Sequence, residues 1–259
     1  MYINISYMNF FLKDIPKREN KPRESGITMM MDKGLSLNQA KDFIESSSEY
    51  TDIVKLGFGT SLITPNTYEK IKLYQEANIK VHVGGTLFEA FVIRDMYNEY
   101  LNLMDKWNIS MCEVSDGCMN LNHDDKCNYI KDLSKKYTVV SEVGSKDSEK
   151  NIDQSKWIDM MKKELESGSW KVITESREGG NTGVFNNQGE TKDDFINDII
   201  NEIPNEKIIW EAPKKEQQLF FINNIGPNVN LGNISKDEVI PLEALRLGLR
   251  GDTFFKFIN

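Results

Sequence analysis

The chain has 259 residues, 39% of them apolar, and its 32 basic and 40 acidic residues give a formal net charge of −8 at pH 7. This length suits one large domain or two small ones. The negative charge argues against nucleic acid or an anionic membrane surface as the main partner.

The cysteine content and the start of the chain predict a cytoplasmic protein. Cys112, Cys118 and Cys127 are odd in number and include no Cys-x-x-Cys pair, which fits a reducing compartment better than a disulfide framework. The opening residues MYINISYMNFFLKD lack a basic region and a small-residue cleavage site. No apolar run approaches the roughly 18 residues of a membrane span, so we expect a soluble protein.

Short apolar or β-branched runs recur along the chain, each separated from the next by enough residues for a helix. These runs predict strands over 27–31, 52–56, 79–83, 110–115, 137–141, 170–174, 207–210 and 228–231. Amphipathic stretches between them predict helices that include 36–47, 66–77, 90–107, 124–136 and 154–167.

Strands and helices therefore alternate eight times. Near-continuous apolar strands separated by helices imply a parallel sheet covered on its outer face, and eight such units close a (β/α)8 TIM barrel. We predict an N-terminal extension over 1–20 and one barrel domain over 21–259. An open doubly wound sheet is the alternative.

Each predicted strand ends in an ionisable or glycine-rich motif, and all these ends lie at the same face of a barrel. The motifs are MDKG, KLGFGTS, GGT, EVSDG, SEVGSK, ITESREGG, WEAP and NVNLGN. In barrel enzymes this face carries the catalytic groups.

Four basic or acidic residues at these ends are candidate catalytic groups. Lys55 lies within an apolar strand, where its ammonium is tolerable only if it points into the barrel mouth near an anion. Asp32 and Lys33 follow the first strand and Lys146 follows the fifth, and a lysine beside other cations can act as a general acid because its pKa is lowered. A structural ion pair is the alternative for Lys55, and a solvated loop lysine is the alternative for Lys146.

Four glutamates are candidate metal ligands: Glu113, Glu142, Glu175 and Glu211, from the fourth to seventh strands. They would converge at the barrel mouth, where their mutual repulsion is relieved by protons or cations. Oxygen ligands alone suit Mg²⁺. For any one of them, an ion pair with Lys55, Lys33 or Arg177 is equally compatible with the pattern.

Loops after the third, sixth and eighth strands are candidate substrate-binding segments. Their glycines let backbone N–H groups approach an oxyanion, and an arginine adds a fork of donors. The residues selected are Gly85, Thr86, Arg177, Gly180, Gly183 and Asn230.

Read together, the motifs resemble the phosphosulfolactate synthase family. The resemblance rests on KPRESG, MDKG, DIVKLGFGTS, VGGTLFE, SEVGSK, KVITESRE, WEAPKKEQQ, GPNVNLGNI and LEALRLGLRGDTF, in that order from Lys21 onward. It implies a (β/α)8 barrel, a homo-oligomer, and a Mg²⁺-dependent enzyme that adds sulfite to C3 of phosphoenolpyruvate to give (2R)-phospho-3-sulfolactate. It also implies that Lys146, which matches the family's strand-five lysine, protonates C2.

Two alternative functions share this scaffold. One is a lyase or aldolase acting on another phosphorylated enol or keto acid, which would need the metal but no sulfite pocket. The other is a non-catalytic, stress-associated relative, for which loss of the ionisable strand ends would be expected.

Overall fold

The computed structural model of the protein describes residue 9 and residues 12–144, 153–176, 179–181, 183–186 and 188–258. Eight strands form one parallel sheet: β1 (Thr28–Asp32), β2 (Ile53–Leu56), β3 (Lys80–Val83), β4 (Met111–Val114), β5 (Thr138–Val143), β6 (Lys171–Thr174), β7 (Ile208–Glu211) and β8 (Leu231–Ile234).

The helices lie between and after these strands. They are α1 (Leu37–Ser47), α2 (Thr60–Ile63), α3 (Thr67–Glu76), α4 (Gly85–Val92), α5 (Tyr97–Lys106), α6 (His123–Leu133), α7 (Gln154–Glu166), α8 (Asp193–Glu202), α9 (Lys215–Asn224) and α10 (Val239–Arg246). In the described residues, no helix is long and apolar enough to cross a membrane.

The strand order confirms the predicted barrel. Hydrogen-bonded neighbours follow the order β3-β2-β1-β8-β7-β6-β5-β4, in which β1 pairs with both β2 and β8. β3 and β4 lie beside each other at the ends of this series. The sheet therefore forms a nearly closed (β/α)8 barrel rather than an open doubly wound sheet.

Strand side chains alternate between the outer core, beneath the helices, and the barrel interior. The interior holds a separate apolar cluster made of Ile27, Met29, Ile53, Met111, Val140, Ile173 and Ile209. Five of these residues are followed two positions later by an ionisable residue, on the same strand or directly after it: Lys55, Glu113, Glu142, Glu175 and Glu211. The two-residue period thus stacks a charged layer on an apolar one, at the carboxyl ends of the strands.

Two predicted elements were wrong in their bounds. The helix predicted over 90–107 is two helices, α4 and α5, separated by a turn in which Asp95 has a left-handed backbone with φ of 55°. The last strand was predicted over 228–231, but β8 runs from Leu231 to Ile234. β8 contains Gly232 and Asn233, two residue types with low strand propensity, whereas residues 228–231 alternate polar and apolar side chains as a strand does, so the sequence favoured the earlier segment.

Candidate active site

Lys55 is the centre of the charged layer inside the barrel. Its Nζ atom lies 3.0 Å from Oε2 of Glu113, 3.3 Å from Oε2 of Glu142 and 3.2 Å from Oε1 of Glu211. All four residues are buried. The interaction satisfies the prediction that a lysine within this strand needs anionic partners.

The pKa values of Lys55, Glu113 and Glu211 are shifted by burial and by the neighbouring charges. Burial is the largest influence on the pKa of Glu211 and raises it. The positive charge of Lys55 lowers this pKa, the negative charges of Glu142 and Glu113 raise it, and the result is a pKa of about 7. The pKa of Glu113 is also raised, mainly by burial. Burial acts to lower the pKa of Lys55, but its three carboxylate neighbours outweigh burial and raise it. Lys55 therefore stays charged, while Glu211 gains or loses a proton near neutral pH.

The charged layer forms the floor of a cavity of about 390 Å³. Twelve residues from several strands line this cavity: Met31, Lys55, Phe58, Gly84, Gly85, Thr86, Glu113, Cys118, Glu142, Glu175, Glu211 and Asn233. A cavity of this size at the carboxyl ends of barrel strands fits a small-molecule substrate.

Three of the four predicted metal ligands form a compact oxygen cluster. Glu142, Glu175 and Glu211 are buried, and each offers a carboxylate oxygen within 4.8 Å of the other two. Glu113 is used differently, because its Oε1 accepts a hydrogen bond from the Gly85 backbone N–H at 2.7 Å and its Oε2 pairs with Lys55. Glu113 therefore links β4 to the beginning of α4.

The predicted substrate-binding glycines have different surroundings. Gly85 and Thr86 line the cavity at the beginning of α4. Gly180 and Gly183 have left-handed backbones, with φ of 58° and 67°. A Cβ atom on Gly180 would collide with the side chain of Gln217, and one on Gly183 would collide with the carbonyl oxygen of Glu175. These two glycines therefore permit close packing of the loop after β6.

The structure places Asp32 and Lys33 outside the set of cavity-lining residues. Oδ2 of Asp32 lies 2.7 Å from Nζ of Lys70 and accepts a hydrogen bond from the Tyr74 hydroxyl at 3.0 Å. Its Oδ1 accepts backbone hydrogen bonds from Gly34 and Leu35. The Asp32 carboxylate therefore fixes the loop after β1 to α3. Lys33 is exposed.

Asn230 lies at the opposite end of the barrel from the cavity, since it precedes β8. Its Oδ1 accepts a hydrogen bond from the Ile27 backbone N–H at 3.0 Å, and its Nδ2 donates to the Ile208 carbonyl at 3.0 Å. The displaced strand prediction accounts for this misplacement. Two further predicted residues, Lys146 and Arg177, lie outside the described residues.

Asn233, Cys118, Phe58 and Met31 line the cavity and were not selected from the sequence. For Asn233 a signal was available, because it is the last residue of the NVNLGN motif. Correct strand bounds would have assigned it to the carboxyl end of β8.

Comparison with known proteins identifies the family. A family model described as (2R)-phospho-3-sulfolactate synthase (ComA) matches residues 16–252. The chain belongs to this family. A phosphosulfolactate synthase of Bacillus subtilis (strain 168) is 43% identical over 251 residues, which cover 96% of this chain and 100% of that protein. A phosphosulfolactate synthase of Methanothermobacter thermautotrophicus is 38% identical over 255 residues, covering 96% of this chain and 99% of that protein.

Several solved structures of other proteins have the same barrel fold as this member of the phosphosulfolactate synthase family, although their sequences are only distantly similar. A 3-hexulose-6-phosphate synthase from Salmonella typhimurium aligns with a TM-score of 0.54 and 15% identity, covering 86% of this chain and 100% of that one. The YdjI aldolase from Escherichia coli K12 aligns with a TM-score of 0.55 and 9% identity, covering 83% of this chain and 76% of that one. Identities this low show a common fold alone.

Proposed function

We propose that the protein is a Mg²⁺-dependent phosphosulfolactate synthase that adds sulfite to C3 of phosphoenolpyruvate, giving (2R)-phospho-3-sulfolactate. The observation that carries the proposal is the cluster of buried carboxylates around Lys55 in the cavity of a member of this family. Both substrates are anions, so the charge balance of this cluster decides whether they can bind.

The charge balance favours a divalent cation. In the described residues, four buried glutamates line the cavity and Lys55 is the one buried basic residue among its lining groups. Two anionic substrates would be repelled by this surplus of negative charge. The three clustered oxygens of Glu142, Glu175 and Glu211 provide the hard donor set that Mg²⁺ requires. These residues would hold the ion, which, when bound, stabilises negative charge that develops on the substrate.

The proposed chemistry needs two further contributions from the chain. The sulfur lone pair of sulfite attacks C3, the π electrons of the C2–C3 double bond move toward C2 and the carboxylate, and C2 then takes a proton. Nothing leaves the substrate. Lys55 supplies fixed positive charge within the cavity, and negative charge that develops near it is stabilised.

We assign the proton donor to Lys146 on the family resemblance, and part of the substrate-anion binding to Arg177 on its place in the glycine-rich segment after β6. A guanidinium presents a planar fork of donors suited to phosphate or carboxylate. The resemblance also supports a homo-oligomer, which sedimentation of the purified protein would test.

The decisive experiment incubates the purified protein with phosphoenolpyruvate, sulfite and Mg²⁺ and measures the product mass and stereochemistry. We expect one product with the composition of phosphoenolpyruvate plus bisulfite, formed only when all three components are present. A protein that leaves these substrates unchanged, but converts another phosphorylated enol or keto acid in a substrate screen, would support the lyase or aldolase alternative instead.

A further inference from the structure

Asn233 occupies a β-bulge at the carboxyl end of β8. Thr28 pairs with Leu231 and Met30 pairs with Ile234, so two steps along β1 correspond to three along β8. Asn233 has a left-handed backbone with φ of 57°. A bulge of this kind inserts one residue into a strand and redirects a side chain.

The bulge explains why Asn233 reaches the cavity. Gly232 lies against the interior residues Met29 and Ile209, where a Cβ atom would collide with Met29 and crowd Ile209. Regular alternation would therefore turn the next residue outward. With the extra residue, Asn233 lines the cavity, while Ile234 returns to the outer core.

The side-chain oxygen of Asn233 is buried without a hydrogen-bond partner among the described residues. The residue as a whole is 7% exposed. Leaving a buried amide oxygen unpaired costs about 1–3 kcal/mol. A half-turn of the carboxamide exchanges Oδ1 with Nδ2, so the same position can present an acceptor or a donor.

The position of Asn233 indicates what this amide contacts. Gly232 pairs in register with Glu211, so Asn233 lies one residue farther toward the barrel mouth than that carboxylate. A neutral amide there adds donors to a cavity rich in carboxylates without adding charge. An oxyanion approaching the cluster from the mouth needs donors of this kind.

We propose that Asn233 is a substrate-contacting residue whose amide donates a hydrogen bond to an oxyanion bound in the cavity. This inference rests on the proposed function, which supplies three sources of that chemistry: the phosphate of phosphoenolpyruvate, its carboxylate, and sulfite. The bulge holds the amide in place before substrate arrives, and the unpaired state is relieved when substrate binds.

The test compares Asn233→Asp and Asn233→Gly with the native protein. Both substitutions tolerate a left-handed backbone, but aspartate replaces the donor with a negative charge and glycine removes it. Asn78→Asp and Asn78→Gly are matched controls, because Asn78 has φ of 56° and is exposed in the loop after α3. Binding of phosphoenolpyruvate, inorganic phosphate and sulfite to the Mg²⁺-loaded protein is measured by calorimetry.

We expect Asn233→Gly to weaken binding of one oxyanion by roughly 10- to 100-fold, the usual effect of losing a hydrogen bond to a charged group, and Asn233→Asp to weaken it further. Weaker binding of both phosphoenolpyruvate and inorganic phosphate identifies the phosphate as the partner. Weaker binding of phosphoenolpyruvate without a change for inorganic phosphate identifies the carboxylate, and weaker binding of sulfite alone identifies sulfite. The Asn78 variants should bind both like the native protein.

Native-like binding of both oxyanions by folded Asn233 variants would overturn the inference, and so would a change confined to Mg²⁺ affinity. The proposed function can fail separately. If the native protein binds these anions but forms no sulfonated product, the synthase assignment is wrong, whereas the role of Asn233 is still decided by the binding data.

Discussion

Lys126 on α6 donates a hydrogen bond from Nζ to the backbone carbonyl of Glu142 at 2.6 Å. The same Nζ lies 2.8 Å from Oε1 of Glu164 and 2.9 Å from Oδ1 of Asp116. Burial acts to lower the pKa of Lys126, but Glu164 and Asp116 outweigh burial and raise it. One buried ammonium therefore connects α6, α7 and the loop after β4 to the residue of β5 that carries a proposed metal ligand.

We expect Lys126→Met to lower the free energy of unfolding by about 3–5 kcal/mol, because the buried carboxylate of Glu164 then loses the ammonium that pairs with it. Denaturant unfolding of the metal-free protein measures the change. Lys162→Met is the control, since Lys162 pairs with Glu202 at 2.8 Å but their side chains are 41% and 55% exposed, so its loss of stability should be far smaller. Adding Glu164→Gln to Lys126→Met should recover part of the lost stability. Equal losses at Lys126 and Lys162 would contradict this view of Lys126.

The proposed metal ligands predict a second result. Glu142→Gln or Glu175→Gln removes one anionic oxygen donor, so the Mg²⁺ concentration that gives half-maximal activity should rise at least tenfold. Glu45→Gln and Glu69→Gln are matched controls, because both glutamates are exposed on outer helices. Excess EDTA should abolish turnover of the native enzyme. Full turnover in EDTA would show that the reaction needs no metal.

The raised pKa of Glu211 predicts how the stability of the metal-free protein depends on pH. Its pKa is about 7 in the folded protein, against an ordinary value of 4.5, so the folded state holds this proton more tightly than the unfolded state does. The resulting destabilisation is absent below about pH 4.5 and complete above about pH 7. Stability should therefore fall across this range, and Glu211→Gln should flatten the fall.

Mg²⁺ should reverse this trend, since it binds ionised carboxylates and stabilises the folded state by mass action. Unfolding midpoints with EDTA and with Mg²⁺ at pH 5, 6, 7 and 8 measure both effects. The same pH dependence in Glu211→Gln as in the native protein would assign the trend to another group.

The barrel could be predicted from sequence because its signals are local. β2 lies within its predicted range because a continuous apolar run marks a strand covered on its outer face. The same apolar run predicted that the Lys55 side chain points into the barrel, since its charge could not be buried beneath the outer helices without a partner. β8 was displaced because a bulge, a glycine and an asparagine hide its pattern.

The role of Asp32 could not be predicted, because its partners are distant in sequence. Lys70 and Tyr74 lie about forty residues later on α3, and nothing near Asp32 indicates that they engage its carboxylate. The same limit applies to Glu113, whose contact with the Gly85 backbone depends on how β4 and α4 meet. Side-chain type predicted a charged cavity, whereas the division between structural and ligand-binding groups required the tertiary contacts.

The proton donor remains a prediction of the family resemblance, because Lys146 lies outside the described residues. If it protonates C2, Lys146→Ala should lower turnover by roughly 10² to 10⁴-fold while phosphoenolpyruvate binding is nearly unchanged. Lys146→Arg should be equally slow, since arginine keeps the charge but does not release a proton near neutral pH. Near-normal turnover of the arginine variant would limit Lys146 to electrostatic stabilisation.

The final prediction concerns Lys55→Met, which keeps all but the last atom of the side-chain length and removes the charge among three carboxylates. Removing one partner of a buried ion pair typically lowers the free energy of unfolding by about 3–5 kcal/mol, and we expect a decrease of this size at pH 8. At pH 5 the loss should be smaller, because Glu211, whose pKa rises to about 7, takes up a proton and no longer needs a counter-charge. Lys72→Met is the control. Lys72 is exposed and 3.7 Å from Glu76, so its removal should cost less than about 1 kcal/mol at either pH.

Mg²⁺ distinguishes this electrostatic role of Lys55 from simple packing. At pH 8 the ion supplies part of the missing positive charge, so it should raise the unfolding midpoint of Lys55→Met more than that of the native protein. Turnover should still be lost, because a cation bound by Glu142, Glu175 and Glu211 does not replace the ammonium beside Glu113. If the stability lost at pH 5 equals that lost at pH 8, and Mg²⁺ stabilises both proteins alike, Lys55 acts only through its packing.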